Sequence, residues 1–310
     1  MGAIFFAEDR PYYHFAETIN SVSAKRPILR RSLQQAWDLC AMWTSYEPVE
    51  HHQAMPFQVL LAVLSTCLIW GWTREAGIFA MCWGMLLRVG EIVKAKRSDI
   101  VFPKDVHYTI DHVLIKILEP KTRFRAARHQ SSKLEAPDLI AVAWLGLGHL
   151  KPYEKVWPNS PSTLRSRLDK ILLRLGLPTK TVGLKKPLAL ASFRPGGATY
   201  MISLTESAEM VRRRGRWLSM RVMEVYLQEV AASTFMTDLD PTTRETILQA
   251  MAEFPQILQT SVRFASAHFP EKVWNLLFKQ VDQSVESTGQ AGRMDAGAPK
   301  RSTTTYTQTK

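Results

Sequence analysis

Four separated patches of the chain carry the residue types that phosphodiester transfer without a metal ion requires. They are residues 87–91 (LRVGE), 120–122 (PKT), 192–199 (SFRPGGAT) and 215–217 (GRW). Arg88 and Arg194 can each donate paired hydrogen bonds to the non-bridging oxygens of a phosphate, where negative charge builds in the transition state. Tyr226 follows the tryptophan of the last patch by nine residues, and its hydroxyl can attack phosphorus. The sequence contains no carboxylate cluster suited to a metal ion, so arginines would have to supply the stabilisation.

The order and spacing of these patches resemble the catalytic domain of the tyrosine recombinase (phage integrase) superfamily. They are most similar to the branch found in eukaryotic Crypton-like and DIRS-like mobile elements, which commonly show an LRxGGAT box and a GRW box. The resemblance covers roughly residues 55–235. It implies cleavage and rejoining of DNA strands through a 3′-phosphotyrosyl intermediate, with Tyr226 as the nucleophile and with no cofactor.

The resemblance also implies a role for each residue of the patches. Arg88 and Arg194 are the two active-site arginines, and Glu91 is a structural partner that holds the local helix. Lys121 is the general acid that gives a proton to the leaving 5′ oxygen. Trp217 donates to the phosphate through its indole N–H, which can only donate.

Each of these residues also has a simpler interpretation. The arginines could form surface ion pairs, and a lysine in a basic hairpin such as Lys121 is more often only a phosphate contact. Trp217 could be a core residue, and Tyr226 could pack on one face of an amphipathic helix. The order of all four patches, ending in a correctly spaced tyrosine, favours the catalytic interpretation.

The sequence departs from the family pattern in three places. Many members have His or Lys three residues before the second arginine, where this chain has Ala191, so His129, Lys186 or water takes over that role or the activity has decayed. Arg216 precedes the tryptophan where bacterial members have Gly. Residues 1–50 are too few for the complete DNA-clamping domain that usually comes first in the family.

The positive charge is concentrated in one segment. The chain carries a net charge of +12, whereas residues 83–230 alone hold 26 Lys and Arg against 13 Asp and Glu. Such a segment is expected to follow the phosphates of double-stranded DNA, although a merely solvated basic surface is the alternative. The basic residues predicted to contact DNA are Arg165, Arg167, Lys170, Lys185, Lys186 and Arg213.

The elements that must position these residues are mostly helices. Helical patterns occupy residues 52–98, 137–150, 162–175, 195–204, 212–226 and 242–254, the last beginning at Asp240 as a cap and stopped or kinked by Pro255. Runs rich in β-forming residues at 106–110 and 112–118 predict a small antiparallel sheet edge. The predicted fold class is therefore mainly α with a small antiparallel β-sheet edge (α+β), like a tyrosine recombinase catalytic domain.

Four regions are predicted along the chain. Residues 1–50 form a short helical segment, at most a partial core-binding domain, with Leu39, Cys40 and Trp43 on one apolar face. Residues 51–235 form the catalytic domain, and residues 236–282 form C-terminal helices, one of them near 270–281. Residues 283–310 have almost nothing to bury and are expected to be disordered.

Nineteen uncharged residues, 54–72, raise the question of a membrane span. Two adjacent buried helices explain them better, because a second apolar stretch follows at once. Cys40, Cys67 and Cys82 lack metal-site spacing and indicate a reducing compartment. The expected location is intracellular, nuclear in a eukaryote and otherwise cytoplasmic or nucleoid, without a membrane partner.

The sequence therefore predicts a DNA-binding tyrosine recombinase that assembles as a homo-oligomer, a synaptic tetramer, on its DNA. A catalytically decayed DNA-binding relic of a mobile element is the first rival, because Ala191 can neither accept nor donate a proton. A membrane-associated helical protein is the second rival.

Overall fold

The computed structural model describes residues 2–8, 10–46, 52–120, 130–181 and 187–265. The chain divides into two compact units, Met1–His51 and His52–Lys310. The predicted helix near 270–281 and the predicted disordered tail at 283–310 lie outside the described residues.

The first unit is a small helical assembly. Helix α1 spans Gly2–Ala7, α2 spans Tyr12–Lys25, a 3₁₀ segment covers Pro27–Leu33, and α3 spans Gln34–Tyr46. Its core consists of four buried side chains: Phe15, Ile19, Cys40 and Trp43. The prediction that Cys40 and Trp43 share a buried face is confirmed, whereas Leu39 is exposed.

The second unit contains the remaining elements. In chain order they are α4 Phe57–Ile69, α5 Thr73–Gly84, α6 Val89–Lys94, β1 Ile100–Val101, β2 Val113–Ile117, β3 Gln130–Leu134, α7 Pro137–Leu147, α8 Pro161–Arg174, α9 Phe193–Thr205, α10 Ala208–Gly215, α11 Met220–Glu224, α12 Glu229–Thr234 and α13 Pro241–Ala265. The predicted fold class is confirmed in that the described chain is mainly helical with one small antiparallel sheet.

Helices α4 and α5 lie at the centre of the second unit. Nearly every side chain from Val59 to Ile69, and from Glu75 to Gly84, is buried, because α13 and α8 cover α4 while α7 and α9 cover α5. The apolar stretch at 54–72 is thus one core helix and the turn that follows it. None of the described helices combines the length and apolar character that crossing a bilayer requires.

The sheet has the strand order β1-β2-β3, and both pairs are antiparallel. The predicted strand at 106–110 is wrong, because a 3₁₀ turn at Pro103–Val106 leads into His107 and Tyr108, which both have positive φ. Strand β3 was not predicted, since its sequence QSSKL is largely polar and only Ser132 and Leu134 face inward.

Two predicted helices have different limits in the structure. The segment predicted as one helix over 212–226 is two helices, α10 and α11, because Arg216 adopts a left-handed conformation between them. Asp240 does cap α13, since its carboxylate accepts the Thr243 N–H at 3.0 Å. The helix nevertheless continues through Pro255, with buried Phe254 and Ile257 on either side holding it in the core.

Two glycines at the start of α9 allow unusually close packing. A Cβ atom on Gly196 would lie 2.2 Å from the Met55 carbonyl oxygen, and one on Gly197 would lie 2.0 Å from the Trp83 carbonyl oxygen. The backbone of α9 therefore contacts the backbones of Met55 and Trp83 directly, and its N-terminal part lies against the end of α5.

We expect Gly197→Ala to lower the free energy of unfolding by about 2 kcal/mol, because the added methyl group has to push α9 away from Trp83. Gly90→Ala is the matched control, since a Cβ there meets no atom within 4 Å, and alanine should stabilise α6 by about 0.5 kcal/mol. Urea denaturation measures both. Equal stability of the two variants would contradict this account of α9.

Candidate active site

Arg88 lies immediately before α6 and is tied to the first turn of that helix. The Glu91 carboxylate accepts the Arg88 backbone N–H at 2.9 Å and pairs with the Arg88 guanidinium, also at 2.9 Å. The Arg88 side chain keeps 28% of its surface exposed, whereas that of Glu91 keeps 5%. Glu91 thus contacts both the backbone and the guanidinium of Arg88, while part of the guanidinium still faces solvent.

Arg216 reaches the same carboxylate from the end of α10. Its Nη2 lies 2.6 Å from Glu91 Oε2, and its side chain is 7% exposed. The backbone at Arg216 is left-handed, with φ 58° and ψ 38°, and caps α10. Glu91 therefore bridges two guanidiniums from distant parts of the chain, and sequence reasoning assigned no role to the second of them.

Arg194 occupies the second position of α9 and is 4% exposed. One of its N–H groups donates to the carbonyl oxygen of Gly215, and its guanidinium lies 4.7 Å from the centre of the Trp217 ring. Burial, together with the charges of Arg88 and Arg216, lowers the pKa of Arg194 from its ordinary value to about 9. The side chain is therefore held in a place where its positive charge is under-compensated.

The Tyr226 ring lies beside both Arg194 and Trp217. Its ring centre is 5.6 Å from the Arg194 guanidinium and 4.9 Å from the Trp217 ring. Thr199 of α9 donates to the Tyr226 carbonyl oxygen at 3.3 Å and accepts the Gln228 N–H at 3.1 Å. The half-buried tyrosine is thus anchored through its backbone to the helix that carries Arg194.

Trp217 is placed by the turn between α10 and α11. It is 4% exposed and packs with Leu86 and Val211 in a small apolar cluster beside the site. A Cβ on Gly215 would lie 1.7 Å from the Trp217 ring, so the GRW sequence needs glycine at that position. Trp217 is consequently both a core residue and a neighbour of Arg194.

Buried hydrogen-bond donors accumulate in this cluster. Five nitrogen atoms are shielded from solvent and have no hydrogen-bond partner in the part of the chain that the structure describes. They are Arg194 Nε and Nη1, Arg216 Nε and Nη1, and Trp217 Nε1. Buried donors left without acceptors destabilise a fold, so their concentration beside Tyr226 indicates a site built for an oxyanion.

The charge of the cluster favours the same ligand. Three guanidiniums, those of Arg88, Arg194 and Arg216, lie near Glu91, the one carboxylate that the described residues bring into the cluster. No group of three His, Cys, Asp or Glu residues within the described ranges could hold a metal ion. A phosphate would supply both the missing negative charge and acceptors for the unpartnered donors.

The structure brings together five of the sequence-predicted residues: Arg88, Glu91, Arg194, Trp217 and Tyr226. Lys121, Lys185 and Lys186 lie outside the described residues, as does His129. Lys121 belongs to the connection between β2 and β3. Ala191, at the departure from the family pattern, is exposed on the 3₁₀ turn that leads into α9.

The other residues predicted to contact DNA differ in their surroundings. Lys170 and Arg213 are exposed, while Arg165 pairs with Asp169 on the same helix at 2.7 Å. Arg167 forms an ion pair with Glu75, whose side chain is 3% exposed, and lies over the Trp72 ring at 4.8 Å. These contacts tie α8 to α5 and indicate a structural function for Arg167, whose contact with DNA stays a prediction.

Of the three comparisons with known proteins, the one with solved structures gives matches. A scan against models of protein families finds no match, and neither does a search of curated proteins. Among solved structures, the chain is similar to the XerH site-specific recombinase bound to its difH substrate in a pre-cleavage complex. The TM-score is 0.42 at 12% sequence identity, and the match covers 73% of this chain and 70% of the other. At this level of similarity, chemistry has to be inferred from the side chains themselves.

We expect Arg194→Met to raise the free energy of unfolding of the anion-free protein by about 1 kcal/mol, because it removes a buried charge and two unpartnered donors. The same variant should lose the stabilisation that sulfate gives to the wild type. Thermal unfolding with and without sulfate measures both effects, and exposed Arg213→Met is the control that should change neither.

The pH dependence of this effect follows from the lowered pKa of Arg194. Below the folded-state value of about 9, the side chain is charged in both the folded and unfolded states, so the penalty is fully present. The penalty is lost only as the pH rises above about 9, towards the ordinary pKa of an arginine in the unfolded chain. The difference between Arg194→Met and wild type should thus be constant from about pH 6 to pH 8, and a difference that grows or shrinks across that interval would contradict the assignment.

Substitutions at Arg167 and Lys170 should have different effects on stability and on DNA binding. Arg167→Gln removes the ion pair that Arg167 forms with buried Glu75 and should lower the free energy of unfolding by about 2 kcal/mol. Lys170→Gln should leave stability unchanged. It should lower the slope of log binding constant against log salt concentration for duplex DNA by about one. Urea denaturation and fluorescence anisotropy at several salt concentrations make the comparison. Equal salt slopes for Lys170→Gln and wild type would remove Lys170 from the DNA-contacting set.

Proposed function

We propose that this chain is a tyrosine recombinase that cleaves and rejoins strands of double-stranded DNA. The observation that carries the proposal is the set of five buried, unpartnered N–H donors on Arg194, Arg216 and Trp217, next to the half-buried Tyr226. A scissile phosphate placed there satisfies the donors and lies beside a nucleophile. The sequence resemblance leads independently to Arg194, Trp217 and Tyr226.

The reaction needs no external energy source. The Tyr226 hydroxyl gives up its proton to solvent as its oxygen attacks phosphorus, the bond from phosphorus to the 5′ oxygen breaks, and the 5′ oxygen takes up a proton. The phosphate is then linked to the 3′ end of the broken strand and to tyrosine. Attack by a 5′ hydroxyl from the same or another strand reverses these steps, and the phosphodiester energy is conserved in the protein link.

Each side chain is proposed to have a role in the reaction that suits its chemistry. Arg88 and Arg194 donate paired hydrogen bonds to the non-bridging oxygens, and Trp217 adds a single donor. Glu91 positions Arg88. Lys121, in the connection between β2 and β3, is proposed as the proton donor to the leaving oxygen.

Double-stranded DNA is the proposed partner, held by the basic segment 83–230. Assembly of several copies on DNA, membership of the mobile-element branch and an intracellular, nuclear location in a eukaryote belong to the same proposal. They rest on the sequence resemblance and on the charge distribution.

A second candidate function is DNA binding without cleavage. It is favoured by Ala191, which is exposed and has no group that could exchange a proton with the reacting oxygens. General acid or base groups typically contribute about 100-fold or more to such reactions, so their loss could leave a site that binds phosphate and turns over very slowly.

A nicked suicide duplex, which loses a short fragment after cleavage and so traps the intermediate, distinguishes the two functions. We expect the wild type to form a covalent adduct that migrates with the DNA on a denaturing gel. Tyr226→Phe should abolish the adduct and leave duplex affinity unchanged, because only the hydroxyl is removed.

Tyr200→Phe is the matched control, since Tyr200 also lies near the end of α5 but stacks on Phe57 with ring centres 4.6 Å apart. It should form adduct at the wild-type rate. Duplex binding with no adduct from the wild type would rule out the strand transferase in favour of the DNA-binding candidate.

A further inference from the structure

Arg216 ends α10 in a left-handed backbone conformation, which is unusual for an arginine. Left-handed residues that end a helix are usually glycine, because a Cβ atom is strained there. The Arg216 N–H caps α10 by donating to the carbonyl oxygens of Arg212 and Arg213, and any residue can provide that N–H. Glycine would therefore suit this position at least as well, and any advantage of arginine has to come from its side chain.

The Arg216 guanidinium is only partly used by the folded protein. One nitrogen pairs with Glu91, while Nε and Nη1 are buried and have no acceptor among the described residues. A purely structural arginine with this burial would have its donors satisfied by backbone or side-chain oxygens, as Arg214 does through Lys133 and Glu135. The unpartnered side of Arg216 is in this respect like that of Arg194.

The guanidinium of Arg216 changes the net charge of the cluster, and so the charge of the ligand that would balance it. Arg88 and Arg194 with Glu91 carry a net charge of +1, which matches a phosphodiester monoanion. Adding Arg216 makes the net charge +2. Two buried positive charges are better compensated by a dianion.

We propose that Arg216 is a third phosphate-binding residue and that it makes the site prefer a dianionic phosphate over a monoanionic one. The inference rests on the proposed function. Attack of the deprotonated Tyr226 oxygen on a diester monoanion gives a five-coordinate phosphorus species with two negative charges. A residue that favours the dianion therefore favours the transition state over bound DNA, and so accelerates cleavage without tightening substrate binding.

Small phosphate esters test the charge preference without DNA. Methyl phosphate is a dianion at pH 8, whereas dimethyl phosphate is a monoanion. By calorimetry or thermal shift, we expect the wild type to bind methyl phosphate at least about tenfold more tightly, and Arg216→Gly to lose most of that preference. Arg221→Ala, on the exposed surface of α11, should keep it.

Glycine is the informative replacement, because it relieves the left-handed strain at position 216. The melting temperature of Arg216→Gly should equal or exceed that of the wild type, so that lost binding cannot be ascribed to unfolding. A lower melting temperature together with an unchanged preference for methyl phosphate would show that Arg216 only supports Glu91, and would overturn the proposal.

Cleavage of the nicked duplex supplies the catalytic measurement. We expect Arg216→Gly to form the Tyr226 adduct about 100-fold more slowly while duplex affinity changes by less than about threefold. Added methylguanidine should restore part of the rate. An unchanged cleavage rate in Arg216→Gly would overturn the proposal.

The two measurements separate this inference from the proposed function. If the wild type forms no adduct, the strand-transfer function fails, and the methyl phosphate comparison still decides whether Arg216 selects dianions. If the wild type forms the adduct and Arg216→Gly retains the preference for methyl phosphate, the function stands and the inference on Arg216 is wrong.

Discussion

The Glu91 carboxylate is the contact on which the arrangement of the site depends. It has the only negative charge among the side chains that form the cluster in the described chain, and it is almost fully buried. By pairing with Arg88 and Arg216 it joins the start of α6 to the end of α10, which are separated by more than a hundred residues of sequence. Without it, the guanidiniums of Arg88 and Arg216 would repel one another in a partly desolvated space.

Backbone packing supplies the second constraint. Since Gly196 and Gly197 have no side chains, α9 approaches Met55 and Trp83 at backbone contact, and Arg194 is carried towards Arg88. Thr199 of the same helix then holds the backbone at Tyr226. One helix therefore positions both Arg194, the proposed phosphate-binding arginine, and the segment that carries Tyr226, so their separation is set by a rigid element rather than by two independent loops.

Much of the site could be predicted from sequence because its residues occur in short boxes with fixed internal spacing. Arg88 and Glu91 are three residues apart on one helical turn, and the GRW box with Tyr226 folds locally around Trp217. The conformation at Arg216 was not predictable, since nothing in a helical pattern indicates a left-handed break between α10 and α11. Arg167 illustrates a second feature that the sequence does not reveal, an ion pair with a distant residue. Its partner Glu75 comes from another helix, 92 residues away, and periodicity on α8 cannot indicate which basic residues are neutralised by such contacts.

Strand β3 could not be predicted for a related reason. Its polar residues suit a strand only because β2 supplies a partner and Ser132 can donate to the carbonyl oxygen of Met85 beneath the sheet. Tertiary contact decides the secondary structure there, whereas α4 and α5 are so apolar that their burial follows from composition alone.

The left-handed break at Arg216 has an evolutionary consequence. In the genetic code, glycine and arginine codons differ by a single base, and glycine suits this backbone conformation at least as well. A lineage could therefore acquire or lose the third guanidinium in one mutational step without passing through an unfolded intermediate. The position acts as a point where the charge of the site can be altered while the fold is kept, which makes it a natural place for related chains to diverge in rate.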